Sequence, residues 1–251
     1  MVARILQSDN AMRLSPNHTA LSDSNAELIA ALKQSLATND SATDDALLSE
    51  DRDEYEITLK LFFTPDTTAE SRSEDVARCV DATIEQLKVK SVDLLILAFP
   101  GIVLDAEDEE DAFDEASLKD IAKVYQAAQD LVAQGKAKGL GVSEFSAARL
   151  KQLYDTAAEY NDAGLPTVNQ INLKDCCVMP ADLIALAKDR NIKLFTHGDL
   201  KEMLPQAQLD DLMVGTDAQT RFTAKWVSKV TCVVKSRGVV EFKGYAAMIE
   251  S

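Results

Sequence analysis

The sequence predicts an α/β protein of (β/α) TIM-barrel-like type with an irregular or incomplete N-terminal part. Three observations carry that expectation. Short β-branched or leucine-rich runs alternate with segments of helical period, the pattern of parallel strands joined by crossover helices. The chain has 251 residues, close to the roughly 250 typical of such a barrel. No G-x-G-x-x-G follows the first well-defined strand, and Gly139 and Gly141 form a lone G-x-G, which argues against an open doubly wound sheet.

In chain order, residues 3–7 (ARILQ) are a strand candidate and 24–37 (SNAELIAALKQSLA) a helix, followed by a polar stretch over 38–53. The next strand is 55–63 (YEITLKLFF), and in the helix after it Val76, Val80, Ile84 and Leu87 recur every three or four residues. Strand 92–99 (VDLLILAF) precedes an acidic loop over 105–115 and a helix whose apolar stripe is Leu118, Ile121, Tyr125, Ala128 and Leu131. After strand 137–142 (AKGLGV), Ser146 is placed to cap a helix that puts Ala147, Leu150, Tyr154 and Ala157 on one side. Strands at 167–172, 192–196 and 230–235 complete the set. A full barrel needs more strands than residues 1–53 provide, so that part reads as a divergent portion of a single domain over 1–251.

Lys and Arg total 26 against 42 Asp and Glu, and the net charge of -16 repels phosphate backbones and anionic membranes. Nucleic acid and membrane partners are therefore not expected. The N-terminal stretch lacks the apolar core of a signal peptide, and no apolar run approaches the roughly 20 residues that span a bilayer. A cytoplasmic location is the expectation. The loop DAEDEEDAFDE is eight acidic residues in eleven; its spacing does not match an EF-hand, and it reads as a solvated segment.

Active residues of a (β/α) barrel come from the C-terminal ends of its strands. Those positions hold Lys60, Ala98, Ser143, Gln170, His197 with Asp199, and Lys235 to Arg237. His197 beside Asp199 suits a general base with an orienting carboxylate, yet no G-x-S-x-G turn supplies a nucleophile. Adjacent Cys176 and Cys177 cannot both turn to one tetrahedral ion, and no second pair completes a site, so no metal is expected. The pair reads as buried packing or as one reactive thiol. Lys235, Ser236 and Arg237 form an anion-friendly cluster.

From Glu54 to Ser236, the strand ending in Lys60, then VDLLILAFP, GKAKGLGVSEF, TVNQIN and VVKS resemble the aldo-keto reductases in order and spacing. That resemblance implies carbonyl reduction by an Asp, Tyr, Lys and His tetrad with NADPH. Lys60 matches the lysine; Ala98 stands at the histidine position, and the Tyr-bearing element has no counterpart in residues 1–53. Ser143, Gln170, Lys235, Ser236 and Arg237 match nucleotide-binding positions, whereas Glu144 replaces an amide-binding Asn and cannot donate a hydrogen bond.

A second set, NQINLKDCCVMPADL, IKLFTHGDLKEML and VVKSRGVVEFKGY, resembles the regulatory (modifier) subunits of glutamate cysteine ligase, non-catalytic relatives of those reductases. It implies a heterodimer with the ligase catalytic subunit, better use of glutamate and weaker feedback inhibition by glutathione. On that reading no residue is catalytic and Lys60 is a remnant. Cys176, Cys177, His197 and Asp199 become partner or redox candidates, and NADPH is allowed but not required. The alternatives are an NADPH-dependent oxidoreductase rebuilt on Lys60 and His197, or an NADPH-binding sensor.

Overall fold

The computed structural model describes residues 2–14, 24–38, 47–104, 111–172, 179–214 and 220–251. Cys176 and Cys177 lie outside the described residues, as does most of the acidic loop. The elements are β1 (Ala3–Gln7), α1 (Ser24–Thr38), β2 (Tyr55–Phe63), α2 (Ala69–Leu87), β3 (Leu94–Ala98), α3 (Glu115–Ala133) and β4 (Leu140–Ser143). They continue with α4 (Ala147–Tyr160), β5 (Pro166–Asn172), α5 (Ala181–Asp189), β6 (Lys193–His197), α6 (Gln206–Met213), β7 (Thr223–Val234) and β8 (Val239–Glu250).

The strands form one sheet in the order β1-β8-β7-β2-β3-β4-β5-β6. Strands β2 to β6 run parallel with crossover helices between them, the repeating unit of a (β/α) barrel. The result is a half-barrel of the expected TIM-like type. Its remaining strands depart from the parallel pattern: β7 lies antiparallel to β2, β8 antiparallel to β7, and β1 antiparallel to β8.

The strand expected over 230–235 therefore begins earlier, at Thr223, and runs the other way. Local chain geometry explains this. Lys235 to Gly238 form a tight turn with Gly238 at φ 63, and a connection that short can join antiparallel strands alone, since a parallel pair needs a crossover of a dozen or more residues. Strand β8 had no expectation attached to it, because the glycine and lysine in VVEFKGYAAMIE blur its alternation.

Helices α2 to α5 cover the outer face. The stripe Val76, Val80 and Leu87 is buried, as are Ile121, Tyr125, Ala128 and Leu131, and these meet Ile57, Leu59, Leu61, Leu95 and Leu97 in the main core. Side chains satisfy the helix starts: Thr68 accepts from the Ser71 N–H, Asp114 from Ser117, and Ser146 from Arg149, the cap that the sequence suggested. On the inner face, Leu28 and Leu32 of α1 and Leu209 and Leu212 of α6 pack with Val227, Tyr245 and Ala247 of the hairpin. Cys79 and Cys232 are buried thiols, each pushed up to about 12 by burial, so neither is a nucleophile at neutral pH.

Strand β4 comes close to β5 at Gly141. A Cβ there would stand 2.9 Å from the Val168 carbonyl oxygen and 3.0 Å from Val168 Cβ. Both are held by the sheet. We expect Gly141→Ala to destabilise the protein by about 1–3 kcal/mol, read as a lower urea midpoint; an unchanged midpoint would show that the two strands can part.

Candidate functional site

The C-terminal ends of the parallel strands converge on a cluster of ionisable groups. Lys60 of β2 is 3% exposed, and its Nζ donates to Asp199 Oδ2 at 3.0 Å. The other oxygen, Oδ1, accepts from Lys229 Nζ of β7 at 2.7 Å. Lys229 and Lys60 are direct cross-strand partners, so β2 and β7 present two ammonium groups side by side to one carboxylate. Burial alone would raise the Asp199 carboxyl; the two charges and their hydrogen bonds outweigh it and hold the group well below its ordinary 3.8. Burial lowers the Lys60 ammonium, with Asp199 opposing it.

His197 sits at the end of β6. The Asp199 backbone N–H donates to its Nδ1 at 3.2 Å, which leaves Nε2 to carry the proton. Nε2 lies 2.6 Å from Glu144 Oε1 and 3.1 Å from Ser143 Oγ. A hydrolytic triad needs its carboxylate on the ring nitrogen opposite the serine. Here Glu144 shares Nε2 with the serine, and because Nε2 already carries the proton, His197 cannot act as base to Ser143. Glu144 holds the ring at Nε2; Asp199, expected in that role, holds Nδ1 through its backbone N–H, with Oδ2 at 3.5 Å, while its carboxylate also answers the two lysines.

Glu144 ties two further segments to His197. It adopts φ 67, a left-handed conformation rare for a side chain of this kind. From there Oε1 also accepts the Asn172 N–H at 2.7 Å and Oε2 the Leu104 N–H at 3.3 Å. Burial works upward on its carboxyl, but the His197 bond and the backbone donors bring it below the usual 4.5. These groups border a cavity of about 110 Å³, whose walls include Lys60, Ala98, Ser143, Glu144 and His197.

The nucleotide positions assigned by resemblance do not come together. Ser143 and Gln170 lie at the C-terminal ends of β4 and β5, and Ser143 Oγ bonds the Gln170 carbonyl at 3.2 Å. Lys235, Ser236 and Arg237 sit in the β7–β8 turn, where Val234 pairs with Tyr55 at the start of β2. Five residues along β2 separate Tyr55 from Lys60, about 17 Å of strand. The antiparallel course of β7 is the reason. Lys235 Nζ donates to the Asp53 carbonyl at 2.7 Å, and Arg237 Nη2 to Glu50 at 2.8 Å. The two groups of residues thus lie at opposite ends of β2, the lysine and arginine of the turn held by main-chain and carboxylate partners. None of the five tyrosines, Tyr55, Tyr125, Tyr154, Tyr160 and Tyr245, borders the 110 Å³ cavity. No group of three or more metal-ligating side chains occurs among the described residues, and none of their helices is long and apolar enough to cross a membrane.

A family model described as the aldo/keto reductase family matches residues 24–248. This chain belongs to that family. Among curated relatives, the glutamate–cysteine ligase regulatory subunit of Homo sapiens is 34% identical over 200 residues, covering 78% of this chain and 66% of that protein. The subunit of Bos taurus is 32% identical over 199 residues with the same coverage. The chain thus spans 66% of the length of these relatives. A solved aldo-keto reductase of Bombyx mori, in complex with NADP, is 21% identical with a TM-score of 0.40, covering 69% of this chain and 48% of that one.

Lys229 and the bonding role of Glu144 were missed from sequence. Lys229 falls just before the strand expected at 230–235, and extending the alternation Lys229, Thr231, Val233 backwards would have placed it beside Lys60. We expect Asp199→Asn to cost about 3 kcal/mol at neutral pH, because it leaves the buried Lys60 ammonium and the partly exposed Lys229 without their anion. Asp199 has a depressed folded pKa, so its contribution is complete above 3.8 and is lost as pH falls through the folded value. The stability gap between wild type and variant, measured by urea unfolding, should therefore stay constant at neutral pH and narrow only in acid; a gap that narrows above about pH 6 would refute the assignment.

Proposed function

We propose that this chain is a non-catalytic regulatory subunit that binds the glutamate cysteine ligase catalytic subunit, improves its use of glutamate and weakens feedback inhibition by glutathione. The observation that carries the proposal is the similarity, at 32–34% identity over 78% of the chain, to proteins named as that subunit. The site's chemistry supports it. Carbonyl reduction needs an acid positioned to protonate the developing alkoxide, and no tyrosine borders the cavity while Ala98 stands where the family's histidine would be. Ser143, Glu144, His197 and Asp199 are engaged with one another. Such a site holds loops in place.

A rigid scaffold whose loops contact a partner is a common route to recognition. Regulation then follows if the subunit binds one conformation of the catalytic chain more tightly than the other. On this reading it acts in the cytoplasm as a heterodimer and needs no cofactor of its own. The test is the glutamate saturation curve of the catalytic subunit, with and without this chain, at fixed glutathione. We expect a lower apparent glutamate requirement and weaker glutathione inhibition; unchanged curves with no co-elution of the two chains would refute the proposal.

A further inference from the structure

A second cavity, of about 290 Å³, lies on the other side of the Lys60, Asp199 and Lys229 cluster, along the inner face of the half-barrel. Thr58 and Thr231, direct partners on β2 and β7, line it two residues below Lys60 and Lys229, and Gln170 of β5 lines it as well. Such an inner face is ordinarily filled by apolar side chains. Here it carries two ammonium groups with the Asp199 carboxylate between them, His197, three hydroxyls and an amide.

The charges do not cancel locally. Each oxygen of Asp199 is covered by one lysine, so the carboxylate is capped and the pair of ammonium groups retains one positive charge beyond it. Glu144, whose charge also acts on Lys60, makes its hydrogen bonds to His197 and to the Leu104 and Asn172 backbone and does not line this cavity. Lys229 is about a quarter exposed and has N–H groups beyond the one bonded to Asp199. Gln170 Oε1 is buried with no hydrogen-bond partner, a costly arrangement unless something donates to it.

We propose that this cavity binds a small tetrahedral oxyanion of the phosphate type. Its unprotonated oxygens would accept from Lys229 and the threonine hydroxyls, while its remaining O–H would donate to Gln170 Oε1. This site is separate from the 235–237 turn and does not depend on the ligase reading above.

Isothermal titration of the full chain with inorganic phosphate, and in parallel with sulfate, tests it. Sulfate has the same shape but no proton at neutral pH. We expect saturable phosphate binding, with sulfate bound at least several-fold more weakly. Lys229→Met should weaken phosphate by roughly tenfold or more, and the near-isosteric Thr231→Val, which keeps the fold, by roughly twofold to tenfold. Lys123→Met, an exposed lysine on α3, should leave it unchanged. The proposal is overturned if wild type shows no saturable phosphate binding, if sulfate binds as tightly, or if Thr231→Val behaves as wild type.

Discussion

The double ion pair of Asp199 with Lys60 and Lys229 is the constraint around which the rest of the structure is arranged. Strand β6, which leads into Asp199, is four positions from β2 in the sheet. In a flat sheet that is about 19 Å, yet the side chains meet at 3.0 Å. The sheet must therefore curl, and the loop after β6 must reach back over its open end. Asn172 reinforces the reach by donating to the Asp199 carbonyl at 3.2 Å. Ion pairs this buried add little net stability against an apolar alternative, but breaking one is expensive. Their effect here is to specify the curvature, and with it both cavities.

The same tie changes the chemistry of the family site. Lys60 is answered by Asp199, a carboxylate contributed after β6, and shares it with Lys229 from an antiparallel strand. A histidine and a serine are close together, but Glu144 approaches the histidine nitrogen that faces the serine. Ser143, Glu144, His197 and Asp199 each have an internal partner, and Glu144 and Asp199 join separate segments of backbone. An arrangement of that kind holds its loops in one geometry, which suits a surface that a partner reads.

Much of this was legible in the sequence, in proportion to how local the signal is. The parallel strands follow from apolar runs between amphipathic helices, and the α4 cap from Ser146 alone. Lys60 stood out through its place at a strand end. The direction of β7 was hidden because K-S-R-G carries two meanings: a turn by residue chemistry, and a nucleotide loop by family resemblance. The turn decides the fold. Asp199 was visible as a carboxylate near His197, but its true partners lie 139 and 30 residues away, beyond what spacing can convey. Glu144 looked like a lost amide, and its gain as a three-way acceptor required the left-handed backbone at that residue.

On the proposed function, the site serves as an internal tie without turnover. The most direct measurement follows NADPH absorbance on adding a panel of aldehydes to the purified chain. The account predicts oxidation no faster than the blank for every aldehyde. Turnover above the blank that is abolished by Lys60→Met would contradict it, and would make the chain an oxidoreductase rebuilt on Lys60 and His197.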